Sequence, residues 1–332
     1  MLNPNLKLNP KIFSDDVEQA PIRNGFGAGL LSAGEEDKKI VALCADLTES
    51  TQMHLFANKF PERFVQVGVA EQNLVTVASG LATMGKIPFC SSYAIFSPGR
   101  NWEQIRTTIA YNDRKVIIVG SHSGISVGPD GGTHQALEDI ALMRVMPNMD
   151  VLSPCDAIEA RKMTKALAKS ERPAYLRLAR EKTPIITTEE TPFELERSQI
   201  FWVPDVGLAQ VGIIVTGDLM HRALLAAKEL EAEGIKTKVM NLASIKPIGV
   251  EAILELAKET RALITVEEHQ IAGGMGSAVA EVLAQNYPIP MEFVGVKNQF
   301  GQSGTPNELI EHYGMGKDSI KEAVKKVLKR KI

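Results

Sequence analysis

Six short runs of aliphatic and β-branched residues mark the first 180 positions, at 40–44, 64–67, 87–90, 116–119, 151–152 and 175–178. None reaches ordinary helical length, so each reads as a strand, and the run at 116–119 as a buried one. Between most of them apolar residues recur at helical spacing, as at 72–81, 102–110, 137–144 and 157–168. Such an alternation predicts a mostly parallel, doubly wound sheet with helices on both faces. Residues 15–33 read as a further helix, interrupted by Gly25, Gly27 and Gly29.

Periodicity fades over 181–205, where Pro184, Pro192 and Pro204 stand among several threonines. That stretch reads as a linker. A second β/α series follows, with strands at 211–215, 237–240, 262–266 and 292–294. Its helices end at Gly234, span 250–258 and begin near Ser277. In the last helix Ile320, Val324, Val327 and Leu328 share a face, and the basic run at 325–331 suits the negative end of the helix dipole. The expected organisation is an Asn/Pro/Lys-rich arm at 1–14, an α/β domain at 15–180, the linker at 181–205 and a second α/β domain at 206–332.

A hydrophobic content of 44% supports sizeable cores, and an aromatic content of 5% makes them aliphatic. The formal charge of −3, with no basic domain, argues against nucleic acid as the main partner. Cys44, Cys90 and Cys155 are widely spaced and read as reduced thiols of a cytoplasmic protein. The first residues show no signal-peptide pattern, and no apolar run is long enough to span a bilayer.

Candidate chemistry begins with the loop after the 116–119 strand. It is rich in glycine, at 120, 124, 128, 131 and 132, and carries His122, Asp130 and His134. Long ordered loops are uncommon unless functional, and loops that follow buried strands are where α/β sheets place their sites. The plainer alternative is a turn with solvated histidines. Metal binding is not expected, because no cysteine lies nearby to complete a ligand set. Gly68-Val-Ala-Glu-Gln-Asn73 also follows a strand and opens a helix, which places Glu71 in the first turn, either as a working carboxylate or as a simple helix-end charge. Gly273-Gly-Met-Gly276 falls short of a dinucleotide fingerprint, and Gly217-Asp-Leu219 of a diphosphate–metal motif.

Ala45-Asp-Leu-Thr48, Gly68-Val-Ala-Glu71, Tyr93-Ala-Ile-Phe96, His122, Asp130-Gly-Gly-Thr-His-Gln135 and Arg180 occur in the order, and with the spacing, that resembles the C-terminal half of transketolase. The resemblance runs from about Gln19 to the end. It implies a pyrimidine-binding domain at 15–180 and a transketolase C-terminal domain at 206–332. The family's first domain, with its Gly-Asp-Gly…Asn magnesium–diphosphate motif, has no counterpart here. The chain thus looks like the C-terminal subunit of a split transketolase, with thiamine diphosphate as cofactor and Mg²⁺ held mainly by an N-terminal partner subunit. A heterotetramer of two plus two chains is the expected assembly.

The resemblance also assigns roles. Glu71 would hydrogen-bond the aminopyrimidine ring, Phe96 and Tyr93 would pack against it, and Asp46 and Leu47 would line the cofactor pocket. His134 would donate to sugar hydroxyl or developing oxyanion and assist proton movement. Asp130 would accept from ketose hydroxyls, and Arg23, Ser50, His122 and Arg180 would hold the sugar phosphate. Departures from the family pattern are Gln72 for a histidine, Gly99 for an aromatic, and Pro129 and Gly132 around Asp130. They bear on substrate range, which includes sulfonated or branched sugars. The competing readings are a deoxyxylulose-phosphate synthase-like chain, a 2-oxoacid dehydrogenase β-like subunit and a non-catalytic assembly subunit.

Overall fold

The computed structural model describes residues 1–331. In chain order the strands are β1 (Gln19–Pro21), β2 (Ile40–Cys44), β3 (Phe64–Gln66), β4 (Ile87–Tyr93), β5 (Ile117–Ser123), β6 (Asp150–Leu152), β7 (Ala174–Ala179), β8 (Lys182–Pro184), β9 (Gln199–Trp202), β10 (Val211–Val215), β11 (Thr237–Asn241), β12 (Ser244–Lys246), β13 (Leu263–Gln270) and β14 (Met291–Val296). The helices are α1 (Ile22–Glu36), α2 (His54–Lys59), α3 (Glu71–Thr83), α4 (Trp102–Gln104, running on as a π-helical turn Ile105–Ala110), α5 (Asp139–Arg144), α6 (Ala157–Lys169), α7 (Met220–Ala232), α8 (Val250–Thr260), α9 (Met275–Asn286), α10 (Pro306–His312) and α11 (Lys317–Lys329).

Two α/β sheets result. The first has the order β12-β6-β7-β5-β4-β2-β3, the second β14-β13-β10-β11-β9. All pairings are parallel except at one edge of each, where β12 and β9 run antiparallel. The apolar runs become strands because helices cover both faces: every residue of β2, β5, β7 and β10 is buried.

The boundaries differ from the periodicity in instructive ways. Helix α1 starts at Ile22, after Pro21 ends the short strand β1, and its glycines do not interrupt it. Gly25 and Gly29 let it lie against α6: a Cβ on Gly25 would stand 1.8 Å from the Ala157 carbonyl oxygen. Within 181–205, β8 pairs back onto β1 and β9 closes the edge of the second sheet. The edge strand β12 comes from the second half of the chain and completes the first sheet. Residues 1–14 cross the second domain, with Ile12 buried in its core and Asn3 bonded to Phe201 and Ile200 carbonyls.

The close packing of α1 on α6 gives a test. Gly25→Ala forces a methyl into backbone and should destabilise by about 1–3 kcal/mol. Gly80 lies in α3 with nothing within 4 Å of its added Cβ, so Gly80→Ala should stabilise by roughly 0.8–1 kcal/mol. Urea unfolding of both variants measures this, and equal effects would contradict the α1–α6 contact.

Candidate active site

Because the strands from β6 to β3 are mutually parallel, all their carboxyl ends open on one edge of the first sheet. The candidate residues gather there, as expected for open α/β sheets. Glu71 follows β3 through Gly68 (φ +72°) and opens α3. It is only 2% exposed. Its Oε1 accepts from Ser92 Oγ at 3.2 Å, and Asn101 Nδ2 donates to its backbone carbonyl at 2.9 Å. Oε2 is buried without a hydrogen-bond partner, and its nearest cation, Arg100 Nη1, stands 3.8 Å away.

Beside Glu71, the end of β4 supplies an aromatic wall. Tyr93 stacks on His122 with ring centroids 4.0 Å apart and lies 6.3 Å from Phe96. Phe96 meets the edge of His134 at 5.4 Å, and the Arg100 guanidinium lies over its ring at 5.5 Å. At Gly99 a Cβ would stand 2.0 Å from the Ile95 carbonyl oxygen, so the backbone here leaves no room for a side chain.

An electropositive cluster adjoins the wall. Arg23 Nη1 donates to His122 Nε2 at 2.8 Å and to the Ser50 carbonyl at 3.1 Å, so Ser50 enters through its backbone. Because Arg23 is the donor, His122 Nε2 carries the lone pair and Nδ1–H donates to Ser121 Oγ at 2.9 Å. Burial, with the charges of Arg23 and Arg180 behind it, pushes the His122 imidazole down to about 3. In this state His122 orients Arg23. Burial and the neighbouring Arg180 also lower the pKa of Arg23, whose Nε is buried and unpartnered. Arg180 donates to the Val127 carbonyl at 2.6 Å and stands 3.8 Å from Asp130.

His134 Nδ1 lies 3.0 Å from Thr133 Oγ1. Asp46, exposed and at φ +60°, sits at the same sheet edge, where its N–H bonds Gln66 Oε1 at 2.7 Å; the next residue, Leu47, packs partly into the core beneath. Neither is hydrogen-bonded to the cluster. Ser92, Arg100 and Asn101, which support Glu71, were not singled out by sequence; their signals are two serines that break the apolar β4 run and an Arg-Asn pair just beyond the aromatics.

The motifs at Gly217 and Gly273 have structural explanations. The N–H groups of Met275 and Gly276, at the amino end of α9, are taken by Glu267 at 2.6 and 2.8 Å. An internal carboxyl therefore fills the place a phosphate would need. The turn Gly217–Leu219 follows β10, and Asp218 faces Glu268. Among the described residues, no helix is long and apolar enough to cross a membrane, and Cys44, Cys90 and Cys155 are buried and unpaired.

Fold and candidate site together define an α/β protein whose candidate residues gather at the carboxyl edge of its first sheet. The model of the transketolase pyrimidine binding domain matches residues 18–185, and that of the transketolase C-terminal domain matches residues 205–320. The chain belongs to the transketolase family. It is 37% identical to a 6-deoxy-6-sulfo-D-fructose transketolase subunit of Clostridium sp. (strain MSTE9), over 96% of this chain and 98% of that one. It is also 37% identical to an apulose-4-phosphate transketolase subunit of Phocaeicola vulgatus, over 90% and 94%. A split-gene transketolase solved as an inactive β4 tetramer superposes with a TM-score of 0.87 at 46% identity, covering 94% of this chain and 99% of that one.

The neutral, buried His122 makes stability depend on pH. In the unfolded chain an imidazole titrates near 6.5, roughly, so below that pH the unfolded state binds a proton that the folded state refuses. The contribution is complete above about pH 6.5 and is lost as pH falls toward 3. Between pH 6.5 and 5 it amounts to roughly 2 kcal/mol. Urea unfolding at pH 7.5 and 5.0 should show a smaller acid loss for His122→Gln than for the natural chain; identical losses would place a charged His122 in the fold.

Proposed function

We propose that this chain is the C-terminal subunit of a thiamine-diphosphate-dependent transketolase, moving a two-carbon ketol unit from a ketose phosphate to an aldose phosphate. The observation that carries the proposal is the buried, unpartnered Glu71 Oε2, set beside an aromatic wall and across from an arginine cluster. A buried carboxylate oxygen without a partner is costly unless something supplies one. A pyrimidine ring nitrogen that carries a proton does so, and the ring's flat faces suit Tyr93 and Phe96. The unpartnered Arg23 Nε likewise suits a dianion.

When bound, thiamine diphosphate supplies the nucleophilic carbon and the electron sink for breaking a carbon–carbon bond beside a ketose carbonyl. The chain's own residues do the rest. Glu71 holds the pyrimidine ring nitrogen and sets its protonation, while Tyr93 and Phe96 orient the ring and exclude water. Asp46 and Leu47 border the same pocket. His134 donates to developing oxyanion charge and carries a proton at an imidazole nitrogen, and Asp130 accepts from sugar hydroxyls. Arg23, turned by His122 and the Ser50 carbonyl, joins Arg180 in gripping the phosphate.

Among the described residues, no group of three or more His, Cys, Asp or Glu side chains is arranged to hold a metal. On this reading magnesium and diphosphate fall to an N-terminal subunit, and activity requires it. The split-gene relative, inactive as a β4 tetramer, supports this dependence. Two plus two chains is the assembly this implies, working in the cytoplasm, where thiols remain reduced.

The test assays this chain alone and with an N-terminal transketolase subunit, as natural chain and as Arg180→Ala. Turnover should appear only with the partner. Loss of a charge-assisted bond worth roughly 1.5–3 kcal/mol should lower kcat/KM for a phosphorylated ketose by about 10- to 150-fold. Hydroxypyruvate, which has no phosphate, should be nearly indifferent. Turnover by the chain alone would contradict the split-subunit reading. Equal losses on both donors would give Arg180 a structural role, and a sulfonated or branched donor preferred from the outset would change the substrate.

A further inference from the structure

The loop between β5 and α5 carries Asp130 and His134 and follows directly on His122 at the end of β5, yet much of its shape is imposed by the C-terminal domain. Three loop glycines lie directly on the segment 301–306. A Cβ on Gly128 would stand 3.2 Å from the Gly304 carbonyl oxygen, one on Gly131 2.7 Å from Ser303 Oγ, and one on Gly132 2.8 Å from the Gly301 carbonyl oxygen. Gln135 Nε2 ties the two pieces together, donating to the Ile125 and Gln302 carbonyls at 3.0 Å each.

Beneath the loop's first turn sits Glu268, from β13, only 1% exposed. It accepts from the Ser126 N–H at 2.5 Å and from Ser126 Oγ at 3.2 Å. Its carboxyl fills the space that a side chain on Gly124 (φ +81°) would need, 2.3 Å from the added Cβ. Its backbone carbonyl accepts from Arg177 Nη2 at 2.8 Å, which fixes the strand end as well as the side chain. Asp218 meets the same carboxyl from the turn after β10. Burial, reinforced by Asp218, holds the Glu268 carboxyl well above the usual carboxyl range.

We propose that Glu268, although it belongs to the C-terminal domain, is a positioning residue for the substrate-facing loop, and that by anchoring Ser126 it sets where Asp130 and His134 stand relative to Glu71 and the arginines. Its effect on turnover rests on the function proposed above; its effect on the loop does not. Glu268→Gln keeps both partners, since the amide oxygen accepts from Ser126 and the amide nitrogen donates to Asp218. Glu268→Ala removes both, and Glu268→Asp draws the carboxyl back by one methylene, a graded variant in case the alanine form fails to fold.

Amide hydrogen exchange on the full chain, read by mass spectrometry, tests the loop without any partner. Residues 124–135 should exchange roughly 10-fold faster in Glu268→Ala, by an intermediate factor in Glu268→Asp, and at the natural rate in Glu268→Gln, with β2 and β4 unchanged throughout. In the complex with an N-terminal subunit, kcat/KM for a ketose phosphate should fall roughly 10-fold in Glu268→Ala and recover in Glu268→Gln. Natural exchange over 124–135 in both the alanine and aspartate variants would overturn the proposal, as would a glutamine variant as impaired as alanine. A complex inactive even with the natural chain would overturn the functional reading alone, because the exchange pattern still decides the positioning role.

Discussion

The ion pair between Arg177 and Asp139, 2.8 Å apart with neither side chain more than 2% exposed, is the joint on which the site depends. Arg177 belongs to β7 and Asp139 opens α5, so the pair fixes where the glycine-rich loop ends. Arg177 also donates to the Ala136 carbonyl, inside that loop, and to the Glu268 carbonyl of the other domain. Tyr175 adds its hydroxyl to Asp139 at 2.8 Å. Charges this deeply buried stay ionised only with such partners, and removing one partner of a buried pair costs about 3–5 kcal/mol. Burial alone would lower the pKa of Arg177, yet Asp139, Glu268 and Tyr175 together outweigh it and raise the value.

From that joint the division of labour follows. The first domain presents Glu71, the aromatic wall and the arginines along one sheet edge, where parallel strands bring their ends together. Among the described residues, the second domain has no comparable cluster of its own. Its amino-end site at α9 is filled by Glu267, and the next residues, Glu268 and His269, turn toward the first domain. His269 Nδ1 donates to the Gln270 carbonyl and its Nε2 accepts from the Ala141 N–H. Burial keeps it neutral, with a pKa near 4. Glu268 and His269, consecutive buried polar residues near the end of β13, thus meet the first domain through defined partners, while Glu267 turns back to α9.

Local pattern carried much of the fold and contact at long range the remainder. The apolar runs at β2, β5 and β10 declare themselves because both faces are buried. The three-residue strands β1, β8 and β12 do not, since each is too short for a period and pairs with residues far away in sequence. The loop glycines announce a special backbone, but their reason lies about 170 residues downstream, at Gly301 to Gly304, and no spacing rule links the two. In the candidate site, motif order brought Glu71, Tyr93, Phe96, His134 and the arginines together as candidates. The orientation of Arg23 by neutral His122 was not, because it depends on burial and on which nitrogen holds the proton. Glu268 was overlooked because a Glu-Glu-His sequence ordinarily marks a solvated segment, whereas here it continues a buried strand.

The proposed cofactor site depends above all on the orphaned oxygen of Glu71. In the complex with an N-terminal subunit, the exchange of the thiamine diphosphate C2 proton for deuterium can be followed by quenched-flow NMR. Glu71→Gln keeps the volume and the bond from Ser92 but cannot set the protonation of a pyrimidine nitrogen. Exchange should slow by orders of magnitude while the melting temperature stays close to that of the natural chain. Exchange at the natural rate in the glutamine variant would contradict the assignment of this edge as the cofactor's pyrimidine site.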